Sequence, residues 1–111
     1  MAIELPPDAP MAEYQRYIHA LEAFHGWLEV DLVNNCFLMG EEVGELFKAV
    51  RRHLKKFEQA EAAALEDSKA HVAEEVVDVL NYLLAICNRL DIDLEAAFRA
   101  KNARNQTRRW T

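Results

Sequence analysis

Glu41-Glu42-Val43-Gly44-Glu45 and Glu74-Glu75-Val76-Val77-Asp78 are the stretches from which the fold is read. Each lies in an apolar run with helical spacing, and each repeats an acid three residues after another. Residues i and i+3 share a helix face. Glu42 and Glu45 therefore point one way, and so do Glu75 and Asp78. If the two helices pack with these faces opposed, four carboxylates converge. Two unit charges ~5 Å apart, at an effective dielectric of ~20, repel by roughly 3 kcal/mol. A hard divalent cation such as Mg²⁺ takes oxygen ligands and removes that cost. A solvated face explains one such pair, at a repulsion of only ~0.2–0.5 kcal/mol. Two pairs, each set among core-type residues, make a metal site an equal reading.

Outward from these stretches the chain reads as helix throughout. Leu32, Cys36, Met39, Val43, Leu46 and Val50 repeat at spacings of three and four, as do Leu54 and Phe57 beyond them. This gives a helix from about Asp31 to Phe57. At ~1.5 Å per residue it is close to 40 Å long, against a radius of gyration of ~13 Å for a compact chain of this size. A helix that nearly spans its subunit points to an assembly of subunits. The second stretch sits in a helix capped by Asp67 or Ser68 and running to about Leu90. Its apolar residues cover more than one side, which again implies burial in an oligomer. The Ala/Glu-rich segment from Glu58 to Asp67 reads as either a helical extension or a loop. Upstream, Tyr14, Tyr17, Ile18, Leu21, Phe24 and Leu28 mark a first helix. Asp8 is its expected cap, Pro10 fits its first turn, and Gly26 ends it. Asp93 caps a fourth helix carrying Leu94, Ala97 and Phe98. The expectation is an all-α fold: a four-helix-type bundle of three long helices and a shorter C-terminal one, assembled as an oligomer. It forms one domain over residues 1–111, with residues 1–8 as an extended arm and 101–111 as a basic tail contributing to the site.

Composition narrows the function. Hydrophobic residues make up 51% of 111, enough for a core, and the formal charge is −6. That charge argues against a nucleic acid polymer or an acidic membrane as partner, since both need a positive footprint. No apolar run approaches the ~18 residues of a membrane span. The N-terminus lacks a charged start followed by an apolar stretch, so a cytoplasmic location is expected. Cys36 and Cys87 read as buried free thiols, too few and too far apart for zinc.

The acidic stripes carry cations. Glu42 and Glu45 share theirs with Arg52 and Lys56; Glu75 and Asp78 share theirs with His71, Tyr82 and Arg89. Carboxylates that hold Mg²⁺, with Lys or Arg to balance phosphate oxygens, suit a polyphosphate. Glu41 can accept a proton from a metal-bound water, though a surface acid is as good a reading. Lys101 and Asn105, one helical turn apart, can reach a ligand near the acids; a frayed basic tail is the alternative. Trp27, Phe24 and Trp110 offer flat surfaces for a base, or simply core. Gly40 and Gly44 cost ~1 kcal/mol each in a helix and would allow close approach of another helix or a ligand.

The pattern resembles the MazG-like nucleotide pyrophosphohydrolases of the all-alpha NTP pyrophosphatase superfamily. Their ExxE, spacer and ExxD appear here as Glu42-Val43-Gly44-Glu45 and Glu75-Val76-Val77-Asp78. Tyr82 falls where several relatives carry a phosphate-contacting tyrosine. Lys101, Asn105, Arg108 and Trp110 resemble the family's closing segment, and the similarity covers roughly residues 27–110. The resemblance implies hydrolysis of a nucleoside triphosphate between the α and β phosphates. It implies Mg²⁺ or Mn²⁺ held by Glu42, Glu45, Glu75 and Asp78. Substrate contacts would come from Arg52, Lys56, Tyr82, Lys101, Asn105, Arg108 and Trp27. It also implies a homodimer or homotetramer of helical bundles; the functional hypothesis built on it is a house-cleaning enzyme for non-standard or damaged nucleotides. The 29 residues between Glu45 and Glu75 exceed the usual spacer, which leaves the subfamily and the preferred base open. Phosphoribosyl-ATP hydrolysis uses the same acids. A non-catalytic helical module that binds nucleotide or protein is the rival from another class. A di-iron bundle would want Glu-x-x-His on two helices, which neither stretch supplies.

Overall fold

The computed structural model describes residues 2–59 and 62–109, with side chains described outside 56–64. Four helices and no strand appear among the described residues. They are α1 (Met11–His25), α2 (Leu32–Gln59), α3 (Ala62–Arg89) and α4 (Leu94–Thr107), with a 3₁₀ turn, Trp27–Glu29, between α1 and α2. No described helix is long and apolar enough to cross a membrane. The chain divides into two compact units: Val30–Leu83, and the segments that flank it.

The flanking unit packs Ile18 of α1 on Leu84 and Ala85 of α3, with Met11, Tyr17, Leu21 and Leu94 around them. One amide ties it together. Gln15 donates to the Asn88 Oδ1 (3.2 Å) and to the Ile92 carbonyl (2.8 Å), and it accepts from the Leu94 N–H (3.1 Å). Asn88 returns a bond to the Gln15 carbonyl at 2.8 Å. Gly26 ends α1 in the left-handed region at φ 72°, its N–H bonded to the Ala23 carbonyl, the usual device for closing a helix. Asp93 caps α4 by accepting from Ala96 N–H at 3.1 Å. Asp31 does the same for α2, from Asn34 N–H at 2.9 Å.

Three helix-end expectations and one about the thiols need correction. Asp8 is not the cap of α1. It sits in a turn at φ 55°, and Pro10 stands at the cap position without a side-chain bond. Proline fixes φ near −65° and pre-sets the first turn, so the helix starts from Pro10. The third helix begins at Ala62, ahead of Asp67 and Ser68. Ala62 to Glu66 are strong helix formers, and Ser68 Oγ bonds back to the Leu65 carbonyl at 3.0 Å instead of capping. The tail from Lys101 is helical as far as Thr107, with the Arg108 N–H closing on the Arg104 carbonyl. Cys36 is exposed and Cys87 half-buried, and both are free thiols.

The Val30–Leu83 unit is a hairpin of α2 and α3. His53 Nδ1 lies 2.7 Å from Ser68 Oγ near its connected end. Further along, Glu42 meets Glu75 and Asp78. The helices are therefore antiparallel. Asn35, Ala49, Ser68 and Glu75 are buried in this unit. Added Cβ atoms at Gly40 and Gly44 would meet open space, so neither glycine admits a close neighbour from its own chain.

Candidate active site

The acids form a cluster on the hairpin. Glu42, Glu75 and Asp78 each offer one carboxylate oxygen, all within 4.8 Å of one another. They grade from buried Glu75 through half-buried Glu42 to exposed Asp78. The pairing follows from sequence spacing: i,i+3 acids on α3 present one face to α2. Glu45 lies outside this trio and is exposed. Its charge still reaches Glu42, whose carboxyl is pushed above the usual range by partial desolvation, then by Asp78, Glu75 and Glu45. One oxygen of Glu75, Oε2, is buried without a hydrogen-bond partner. A buried carboxylate oxygen without a partner carries its full desolvation cost. Three converging hard oxygen donors, from side chains of which Glu75 also keeps an unpartnered oxygen, fit Mg²⁺ or Mn²⁺ by donor chemistry.

Around the trio, His71 Nε2 lies 3.6 Å from Glu75 Oε1, and His71 Nδ1 lies 3.8 Å from Glu74 Oε2. Tyr82 is half-buried one turn beyond Asp78, and Glu41 and Arg52 are exposed on α2. The Lys56 side chain and Trp110 lie outside the described residues. Trp27, Lys101, Asn105 and Arg108 belong to the flanking unit. Trp27 stacks on His25 at 4.3 Å, and its carbonyl accepts from Arg89 at 3.1 Å. Lys101 is exposed on α4. Asn105 donates to Asn102 Oδ1 at 3.2 Å and keeps a buried, unpartnered Oδ1 of its own. Arg108 closes α4.

Two polar residues of the hairpin, Asn35 and His53, carried no role in the sequence reading, and Ser68 entered it only as a cap. Asn35 is buried with an unpartnered Nδ2. It stands seven residues, two turns, before Glu42, a spacing that marks a shared face. His53 and Ser68 bond across the hairpin, and Ser68 stands seven residues before Glu75. The seven-residue step finds Asn35 and Ser68; His53 stands eleven residues, about three turns, after Glu42.

A family model described as phosphoribosyl-ATP pyrophosphohydrolase matches residues 11–105. The chain belongs to the phosphoribosyl-ATP pyrophosphohydrolase family. That family lies within the MazG-like all-alpha NTP pyrophosphatase superfamily whose motifs the sequence resembles. Membership makes the chain a pyrophosphohydrolase acting on nucleotides. No curated protein matches the chain.

Proposed function

We propose that the protein hydrolyses nucleoside triphosphates or deoxynucleoside triphosphates between the α and β phosphates, with Mg²⁺ or Mn²⁺, to give a monophosphate and pyrophosphate. The carboxylate trio with its orphaned Glu75 oxygen carries this reading. Glu42, Glu75 and Asp78 would hold the cation, with Glu45 beside them. A bound cation there polarises phosphoryl oxygens and lowers the pKa of a coordinated water. The chain's own residues supply the rest. Glu41 and Glu45, exposed on α2, serve as proton acceptors. Arg52 and Lys56 on that helix balance phosphate charge. Tyr82, one turn beyond Asp78, donates a hydrogen bond to phosphate. A house-cleaning role in the cytoplasm fits such an enzyme when modified nucleotides are its preferred substrates.

A second reading is favoured by the family match along residues 11–105. In it the substrate is phosphoribosyl-ATP, and the bond cleaved is of the same kind. One assay tests both. Pyrophosphate release is measured from canonical and modified triphosphates and from phosphoribosyl-ATP, with Mg²⁺ and with chelator. Metal-dependent pyrophosphate and a matching monophosphate are expected, and the rank order chooses between the readings. Orthophosphate release would overturn the assignment of the bond. Binding without turnover across the panel, from folded protein with either metal, would make the chain a nucleotide-binding module.

A further inference from the structure

The flanking unit holds a polar cleft of about 500 Å³, within the size range of small-molecule sites. One wall is a face of α1, where Ala12, Gln15, Arg16 and His19 fall at steps of three, one and three. The other wall is the corner between α3 and α4, with Asn88, Asp91 and Asp93. The floor is tied down. The amides of Gln15 and Asn88 bond to each other and to the backbone of both walls. The spacing of the walls is therefore set by the protein itself, which lowers the ordering cost of a ligand.

The two walls differ in charge. Arg16 is the cation of the α1 wall. Its Nε donates to Glu13 Oε2 at 2.6 Å and its Nη2 to the Glu4 carbonyl at 3.0 Å. These bonds fix the guanidinium and leave Nη1 to donate elsewhere. His19, three residues on, adds an imidazole to the same wall. The facing corner is acidic. Asp93 is held by the Ala96 N–H at 3.1 Å. Asp91 turns the chain out of α3 at φ 53°, in the left-handed region that costs an L-residue free energy. At the end of α1 the same turn is made by Gly26, the residue that adopts it without strain. Aspartate at this position places a carboxylate on the cleft, and among the described residues that carboxylate has no hydrogen bond or ion pair. No ion pair among the described residues crosses the cleft from Arg16 or His19 to Asp91 or Asp93.

Unlike charges that face each other across a cleft without pairing disfavour a ligand of one sign. An anion alone meets the two aspartates, and a cation alone meets Arg16. A ligand with one charge of each sign suits both walls. The geometry points to a binding site for a free α-amino acid in this cleft, its carboxylate on Arg16 and His19 and its ammonium on Asp91 and Asp93. Both ends then make charge-assisted hydrogen bonds, about twice as strong as neutral ones. The acid trio belongs to the other unit, Val30–Leu83, so this is a second site, and it stands whether or not the trio turns over nucleotide.

The test is isothermal titration calorimetry of the full chain in Mg²⁺ buffer against each of the common L-amino acids. Leaving out nucleotide keeps the result separate from any result on hydrolysis. At least one amino acid is expected to bind saturably, with a Kd below about 1 mM. Its N-acetyl derivative lacks the ammonium and its amide lacks the carboxylate, and each is expected to bind roughly tenfold weaker or worse. Asp91→Asn keeps a residue type that tolerates positive φ and removes one charge; Arg16→Gln removes the other. Both are expected to weaken binding to the same degree with helical circular dichroism unchanged. Glu29→Gln changes an exposed charge of the same unit that does not line the cleft, and is expected to leave Kd unaltered. Silence across all the amino acids, from folded protein, would overturn the proposal. An N-acetyl derivative or amide that binds as tightly as its parent would overturn it too. Binding indifferent to Asp91→Asn and Arg16→Gln would place the ligand elsewhere and overturn the site.

Discussion

Glu75 keeps one carboxylate oxygen buried and unpartnered beside two further acids. Such a group weakens the cation-free fold and serves the cation-bound one. Glu75→Gln is expected to raise the melting temperature in chelator while lowering nucleotide turnover by about 10²-fold or more. Several kcal/mol of transition-state stabilisation rest on a bound cation, at 1.36 kcal/mol per tenfold. Melting curves and single-turnover rates on one sample read both. Glu22 is a separate case. It is buried in the flanking unit, 3.6 Å from Arg89, with Oε1 unpartnered. Its carboxyl is raised, because desolvation outweighs the opposing pull of Arg89 and His19. The folded state therefore holds this proton more tightly than the unfolded chain. Its stabilising contribution is full below the ordinary value of 4.5 and is lost as pH rises through the raised value. Glu22→Gln should accordingly gain on wild type in urea midpoints as pH rises above 4.5. A constant difference across that range would count against the raised carboxyl.

Helix ends are set by a few backbone positions. Gly26 holds φ 72° with nothing within 4 Å of an added Cβ, so Gly26→Ala tests backbone strain alone. A loss of ~1–2 kcal/mol is expected in urea unfolding, the cost of the left-handed region for an L-residue. This helix end was legible in the sequence, as were the start of α2 near Asp31 and the cap Asp93; Asp8, of the same type, is no cap because Pro10 stands at that position. The start of α3 was not. Ser68 reads as a cap from its type, yet its hydroxyl is held between His53 and the Leu65 carbonyl, and the His53 contact comes from another helix. The acid trio was legible because i,i+3 spacing is local. Leaving Glu45 outside depends on how α2 is rotated against α3, which no local pattern encodes. The exposed Cys36 failed for a related reason: an apolar period marks a face but not what covers it.

At the scale of the molecule, a cation bound to the folded hairpin alone stabilises the whole chain by mass action. At a hundredfold excess over Kd the gain is ~2.7 kcal/mol. A thermal-shift titration with Mg²⁺ should show it, chelator should reverse it, and Glu42→Gln with Asp78→Asn should abolish it. A shift that persists in that double variant would place the cation elsewhere. The amide of Gln15 has a kinetic consequence. Leu94 opens α4, where a first-turn N–H ordinarily exchanges with solvent as the helix frays. Here that N–H is held by a side chain 79 residues away in sequence. Its deuterium uptake should follow the detachment of α1 instead, giving one amide in the second half of the chain that clocks the opening of the first.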